Sequence, residues 1–339
     1  MNTTINDEFS LLPKSKIKAG EGIEYGKYPF YTSSDIKISS LDSYEYDDEA
    51  VILGTGGKAS CNYVKGKFSF STDNYVLKTN GKVETKFLYY FLRKNNLSIL
   101  QNGFHGAGLQ HIGKEYILNI KLPLFDKEKQ NLIINNLDSI NKLILNQQKQ
   151  LNLLDELIKS RFIELFMDDE KDRYPLKKWN DVVTVKHGKD YKKNLVESGG
   201  YPVYGSGGFM GVYADNYLVN ENATIIGRKG TIDKPILVKE KFWNVDTAFG
   251  IEVNTEYLNP VFFYVRSTLY DLKSMSTSTT LPSMTQSTLH NIDIGVPPIE
   301  LQNEFAEFVK LIDKSKFVVQ KRIELYKELL NKKMDEYFN

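Results

Sequence analysis

The chain has 339 residues, with 44 Lys and Arg against 43 Asp and Glu and a net charge of +1, which excludes a uniformly basic nucleic-acid binder but not local basic surfaces. Hydrophobic residues at 41% and charged residues at 26% exclude a disordered or fibrous chain. A single cysteine, Cys61, excludes an internal disulfide or a cysteine-built zinc cluster. That cysteine count, and a start (MNTTINDEFSLL) with no basic, apolar leader, point to the cytoplasm. No apolar run is long enough to form a membrane-spanning helix.

In chain order, strands are predicted at GKYPFY (26–31), AVILG (50–54), FSFSTDNYVL (68–77) and NIKLPL (119–124). These are short β-branched or aromatic runs bounded by Gly, Ser, Asp and Asn. The aromatic stretch near 86–95 reads as helical, since charged residues flank it and nothing breaks it. From residue 133 the apolar positions Ile133, Leu137, Ile140, Ile144, Leu151, Leu154, Ile158 and Leu165 alternate steps of four and three, with Gln147 and Arg161 filling the gaps. That is a heptad stripe. Strands follow at YPVYGSGG (201–208), ATIIG (223–227), KPILV (234–238), FWNVDTAFGIEV (242–253) and NIDIGV (291–296), with an aromatic helix at 259–268. A second stripe runs Phe305, Val309, Ile312, Lys316, Val319, Ile323, Tyr326, Leu330, Lys333 and Tyr337. Each stripe spans about 40 residues without Gly or Pro, or roughly 60 Å of helix. The bland reading of a stripe is packing, and the two are expected to bury each other.

The second half repeats the first. An offset of 173 sets Gly26, Tyr28, Pro29, Tyr31 and Ser33 on Gly199, Tyr201, Pro202, Tyr204 and Ser206. The same offset sets Ile52, Gly54 and Gly57 on Ile225, Gly227 and Gly230, Asp73 on Asp246, and LYYFLR (88–93) on VFFYVR (261–266). Past residue 100 the offset is 172, pairing Leu109 with Leu281, Asn119-Ile120 with Asn291-Ile292, and Gln130-Asn131 with Gln302-Asn303. The chain is two copies of one unit, a mixed domain followed by a long helix. The first copy begins abruptly near Ser10, without the Trp-containing lead YPLKKWNDVV (174–183), so its first strand is expected to be altered.

Catalytic signatures are missing. GTGGKAS (54–60) has two residues between its first Gly and the Gly-Lys pair, and Ala59 after the Lys, so it fails as a phosphate loop. His105, His111, His187 and His290 form no spaced metal-ligand set. No Gly-x-Ser-x-Gly elbow is present. Asn259-Pro260-Val261 lacks the second proline of an amino-methyltransferase loop. Two repeats consume the length, leaving no room for a catalytic domain. The sequence argues for a binding protein.

The layout resembles the specificity (S) subunit of type I restriction–modification systems. The carriers are YPVYGSGG (201–208), IIGRKGTID (225–233), FWNVDTAF (242–249), FFYVR and NIDIGVPPIELQNEF (291–305), with weaker versions in GKYPFYTSS, VILGTGGKAS and NIKLPLFDKEKQNLI. The resemblance implies an α+β chain of two similar target recognition domains, 1–125 and 169–297. They would be separated by spacer helices 126–168 and 298–339, packed as an antiparallel coiled coil. It also implies no catalysis and no cofactor in this chain, with S-adenosylmethionine held by a partner methyltransferase subunit. The implied partners are double-stranded DNA, two methyltransferase subunits and, in some systems, restriction subunits. Each domain would read one half of a bipartite site, and the helices would set the spacer. Differences between the copies imply an asymmetric site. The lack of basic excess predicts weak DNA binding by the chain alone. The alternative is a coiled-coil scaffold whose end domains bind protein or glycan partners.

The resemblance does not fix base-contacting residues, so candidates come from loop chemistry. Arg228 and Lys229, with Thr231, lie in the second copy's glycine turn, where Arg can fork onto guanine and Lys can meet phosphate. Thr55 and Lys58 are the first copy's counterparts. A second loop supplies His105, Gln110 and His111 in copy one and Ser276, Thr277, Thr279, Ser283 and Gln286 in copy two. Ser206, with Ser33, is placed on the same face, and Tyr31 and Tyr204 lie either there or in the core. Solvated turns and a flexible Ser/Thr linker are the competing readings. Asp73 and Asp246 read as structural hydrogen-bonding groups at a turn.

Overall fold

The computed structural model describes residues 2–34, 37–167, 174–276 and 283–338. The chain divides into two compact units, residues 1–149 with 320–339, and residues 150–319. In the first, the elements are β1 (Asn2–Thr4), α1 (Ile5–Glu8), β2 (Phe9–Leu11), β3 (Tyr28–Tyr31), β4 (Ser39–Leu41), β5 (Tyr46–Gly54), β6 (Cys61–Phe70) and β7 (Asn74–Thr79). Then come α2 (Thr85–Gln101), β8 (Phe104–His105), β9 (His111–Ile112), α3 (Lys114–Leu118), β10 (Lys121–Pro123) and the long α4 (Lys127–Phe166), which runs on into the second unit. The second half follows the same plan: β11 (Leu176–Lys178), α5 (Trp179–Val182), β12 (Val183–His187), β13 (Leu195–Val196), β14 (Tyr201–Gly205), β15 (Gly208–Ala214) and β16 (Ala223–Gly227). It closes with β17 (Ile236–Val238), β18 (Trp243–Asn244), β19 (Ala248–Val253), α6 (Pro260–Ser267), α7 (Gln286–His290), β20 (Asp293–Gly295) and α8 (Ile299–Phe338).

The first unit holds a six-stranded sheet in the order β2-β7-β5-β6-β3-β4, antiparallel except for β3 beside β6. The second unit divides the same pattern into β12-β19-β16-β17 and β13-β15-β14-β18. Its parallel pair, β14 with β18, matches β3 with β6. The single ten-residue β6 corresponds to two strands, β17 and β18, with Lys239–Phe242 between them. The runs FSFSTDNYVL and FWNVDTAFGIEV each break at the matched Asp73 and Asp246, so each forms two strands and a turn.

The lead of the first copy is intact, contrary to the expectation from sequence. Ile5 takes the place of Trp179, and both are fully buried. The Ile5 amide donates to the Ile120 carbonyl at 3.0 Å, as the Trp179 amide does to Ile292 at 3.0 Å. β1 pairs with β10 as β11 pairs with β20. A different apolar residue fills one pocket, and the backbone pattern survives.

Both stripe helices form, and no stripe position is exposed. Within the second unit Asp155 meets Lys316 at 2.6 Å and Phe162 meets Phe305 at 5.3 Å between ring centroids, so α4 and α8 run in opposite directions there. In the first unit Asn136 donates to the Tyr337 hydroxyl at 2.8 Å. Phe162 and Met334 lie off the stripe, 172 residues apart, yet both are buried. Each enters a domain core, Phe162 with Trp179, Phe262 and Phe305, and Met334 with Phe87, Leu88 and Ile133. Each unit is thus built on the start of one long helix and the end of the other. α2 leaves helical geometry at Lys94–Leu97, where Asn95, Asn96 and Leu97 take φ of 49°, 53° and 65°. The matched α6 stops at Ser267, the same point in the repeat.

The joint between domain and helix is a buried glutamine. Gln302 donates to the carbonyls of Tyr257 and Pro297 at 2.9 and 2.8 Å and accepts from the Asn259 amide at 2.9 Å. Gln130 repeats this with the Lys82 and Phe125 carbonyls at 3.1 and 2.8 Å and the Glu84 amide at 2.8 Å. Removing the amide strands buried backbone groups, each costing about 1–3 kcal/mol. Gln302→Leu is therefore predicted to lower stability by about 2–4 kcal/mol in urea unfolding. The exposed control Glu304→Ala should change it by less than about 0.5 kcal/mol.

Candidate nucleic-acid interface

In each unit a glycine turn closes onto a second loop through backbone bonds. β5 ends at Gly54, where a side chain would sit 2.9 Å from the Ser33 Cα and 2.2 Å from the Ser60 hydroxyl, so only glycine allows the approach. Thr55 donates its amide to the Asp73 carbonyl at 2.9 Å, and the Ser33 hydroxyl reaches the same carbonyl at 2.6 Å. The turn's other edge meets the β8–β9 hairpin. The Ile112 amide donates to Thr55 at 3.1 Å, and the Gly57 amide donates to Gln110 at 2.9 Å. Gly56 bridges to His111, and His105 pairs with His111 across the hairpin. The structure therefore brings Thr55, Lys58, His105, Gln110 and His111 to one surface, with all but the half-buried Thr55 exposed.

The second unit repeats the pairing at the matched residues. The Met284 amide donates to the Arg228 carbonyl at 2.8 Å, and Lys229 bridges to Ser283. The Arg228 and Lys229 amides both reach the Thr247 carbonyl, at 2.8 and 3.2 Å. A side chain at Gly227 would meet the Thr231 carbonyl at 2.0 Å, and Gly230 holds φ of +80°, a left-handed turn. Among the described residues the Arg228 guanidinium reaches the Asp246 carbonyl, at 3.4 Å, and Lys229 is exposed. Ser206 lies beside the turn, its hydroxyl 3.6 Å from where a Gly230 Cβ would be. Thr231 is half-buried.

The second loop of this unit is tied inward. The Ser276 hydroxyl donates to the Ser283 carbonyl at 3.2 Å and accepts its amide at 2.9 Å. Lys273 pairs with Asp233 at 2.7 Å, and this hydrogen bond holds the Asp233 carboxyl below the usual carboxylate range. Gln286 stands between two imidazoles, its Oε1 2.6 Å from His187 Nε2 and its Nε2 3.3 Å from His290 Nε2. Thr277 and Thr279 lie outside the described residues.

His187 was not among the residues singled out from sequence, because its partner Gln286 is 99 residues away. The Asp73 carbonyl takes the turn amide of Thr55 and the Ser33 hydroxyl, whereas in the second unit the turn amides go to Thr247 and the Asp246 carbonyl meets the Arg228 guanidinium. Among the described residues no group of His, Cys, Asp and Glu could hold a metal ion. No described helix is long and apolar enough to cross a membrane. What the surface offers is donors: an Arg fork, Lys ammonium groups, imidazoles and short hydroxyls on loops held by backbone bonds. That set suits base edges and phosphates.

Comparison with known proteins gives the family of the chain. The family described as the type I restriction modification DNA specificity domain matches the chain twice, over residues 2–155 and 172–327. The chain is 30% identical over 152 residues to the Type I restriction enzyme EcoDI specificity subunit of Escherichia coli, a match covering 45% of this chain and 34% of that protein. It is 24% identical to the Type I restriction enzyme MjaVIII specificity subunit of Methanocaldococcus jannaschii, over 88% of this chain and 82% of that one. Its fold is similar to the crystal structure of the S subunit from M. genitalium, with a TM-score of 0.61, 18% identity and coverage of 100% and 96%. With both halves of the repeat matched, the chain belongs to the type I restriction–modification DNA specificity family and carries two of its domains.

Proposed function

We propose that the chain is the non-catalytic specificity subunit of a type I restriction–modification complex acting in the cytoplasm. Each recognition domain, 1–125 and 169–297, reads one half of an asymmetric bipartite DNA site. The spacer helices 126–168 and 298–339, paired as an antiparallel coiled coil, fix the unspecified spacer between the halves. The observation that carries the reading is the duplicated turn-and-loop pairing with unlike side chains. Thr55 stands against Arg228, Gly56 against Lys229, and His111 against Ser283, on the same backbone bonds. One scaffold presenting two different donor sets fits two different half-sites.

Partner subunits bring the chemistry. Two methyltransferase subunits, carrying S-adenosylmethionine, dock on the long helices. The large apolar side chains left exposed there support this, Leu132, Leu143 and Leu145 in the first unit and Leu153, Phe317 and Val318 in the second. Restriction subunits complete the complex where present. The nearly neutral charge means that partners supply much of the phosphate contact.

Mapping methylated bases genome-wide with the gene intact and deleted tests this reading. A bipartite motif should vanish on deletion. An unchanged methylome, with the partner methyltransferase expressed, would sink the reading and leave the scaffold alternative. In the assembled complex, Arg228→Ala should cost about 1–3 kcal/mol of specific binding and relax one position of one half-site. Lys229→Ala should weaken all sequences alike and lower the salt slope of binding by about 1.

A further inference from the structure

The tip of the β14–β15 hairpin carries apolar side chains that the fold does not use. Phe209 and Met210 are 47% and 43% exposed, and Tyr213 further along β15 is 41% exposed. Their rings form a surface ladder, Tyr204 to Phe209 at 5.7 Å and Phe209 to Tyr213 at 5.4 Å between centroids. Phe209 and Met210 follow the Gly205–Gly208 turn and precede Gly211, with Gly208 at φ +113° and Gly211 at +76°. Among the described residues nothing lies within 4 Å of where a Gly207 Cβ would be.

The tip borders the candidate interface. An open recess of about 750 Å³ runs from Phe209 and Met210 past Ser206 to Lys192, Asp246 and Thr247. The Thr247 carbonyl is the group that anchors the Arg228 and Lys229 amides. The apolar tip is therefore continuous with the cationic turn. It is also small, with Phe209 and Met210 at the tip and Tyr213 behind them, and it is bordered by Ser206, Lys192 and Thr247. A protein partner would call for a broader patch. A base stack matches the small form, because base faces accept an apolar wedge while flanking phosphates meet the cations.

We propose that Phe209 and Met210 form an apolar wedge that enters the base stack of the half-site met by the second unit, while Arg228 and Lys229 hold the adjoining backbone and base edges. The wedge rests on the DNA-reading function above and adds indirect readout to it, since it favours a readily unstacked pyrimidine–purine step. At the repeat offset Lys37 stands where Met210 does, so the wedge belongs to one half-site only.

The test uses the complex with its methyltransferase partners and duplexes of the methylation-mapped site. 2-Aminopurine is placed at each step of both halves in turn, the methylated base excepted. One step, in one half only, should brighten on binding. The double variant Phe209→Ala, Met210→Ala should abolish that signal and weaken specific binding about tenfold, while Phe209→Leu retains both. Specific binding by the native complex with no unstacked step, or a signal unchanged in the double variant, would overturn the wedge and leave the DNA-reading function standing. No specific binding by the native complex would remove both.

Discussion

A buried side-chain amide at the start of each long helix ties the two kinds of structure together. Gln130 and Gln302 are fully buried, and each satisfies two carbonyls and one amide of the preceding segment. The amide has the two donors and the acceptor that this corner needs, and an apolar side chain would leave backbone groups stranded away from water. The direction of the long helix relative to its own domain follows from these bonds. The core then closes around them, with Phe87 and Ile133 in one unit and Phe262 and Phe305 in the other.

A second consequence concerns how specificity can vary on a fixed frame. The glycine turn and the second loop are joined by backbone groups, Ile112 to Thr55 and Met284 to Arg228. Those bonds are indifferent to the side chains at the same positions. Replacing Thr by Arg, or His by Ser, alters which side-chain groups the surface presents without altering the bond that holds it. The close approaches at Gly54 and Gly227 are the exception, because any side chain there strikes the neighbouring segment. A rigid frame with replaceable donors is what a reader of many sequences needs.

Much of this was legible in the sequence because the constraints are local or repeated. The heptad stripe, the aromatic helices and the glycine turns each leave a spacing or a residue type that only one backbone suits. Duplication then exposed them twice. The lead of the first copy was misread because Ile5 replaces Trp179, and an apolar pocket accepts either while a motif does not. Phe162 and Met334 were missed because they lie beside the stripe and are buried by a domain rather than by a helix. Asp73 does bond at the turn, as its sequence position suggested, and the atom that does so is its carbonyl, which side-chain identity alone does not indicate. Contacts such as His187 with Gln286 join distant segments, and no local pattern announces them.

The claim at the centre is that two side-chain sets, each on its own frame, read two independent half-sites. The most direct measurement is the methylation motif made by the complex when residues 228–231 and 283–286 are exchanged for those of a relative with a different second half-site. One half of the motif should change to the relative's, with the other half and the spacer length untouched. A change in both halves, or in the spacer, would contradict it.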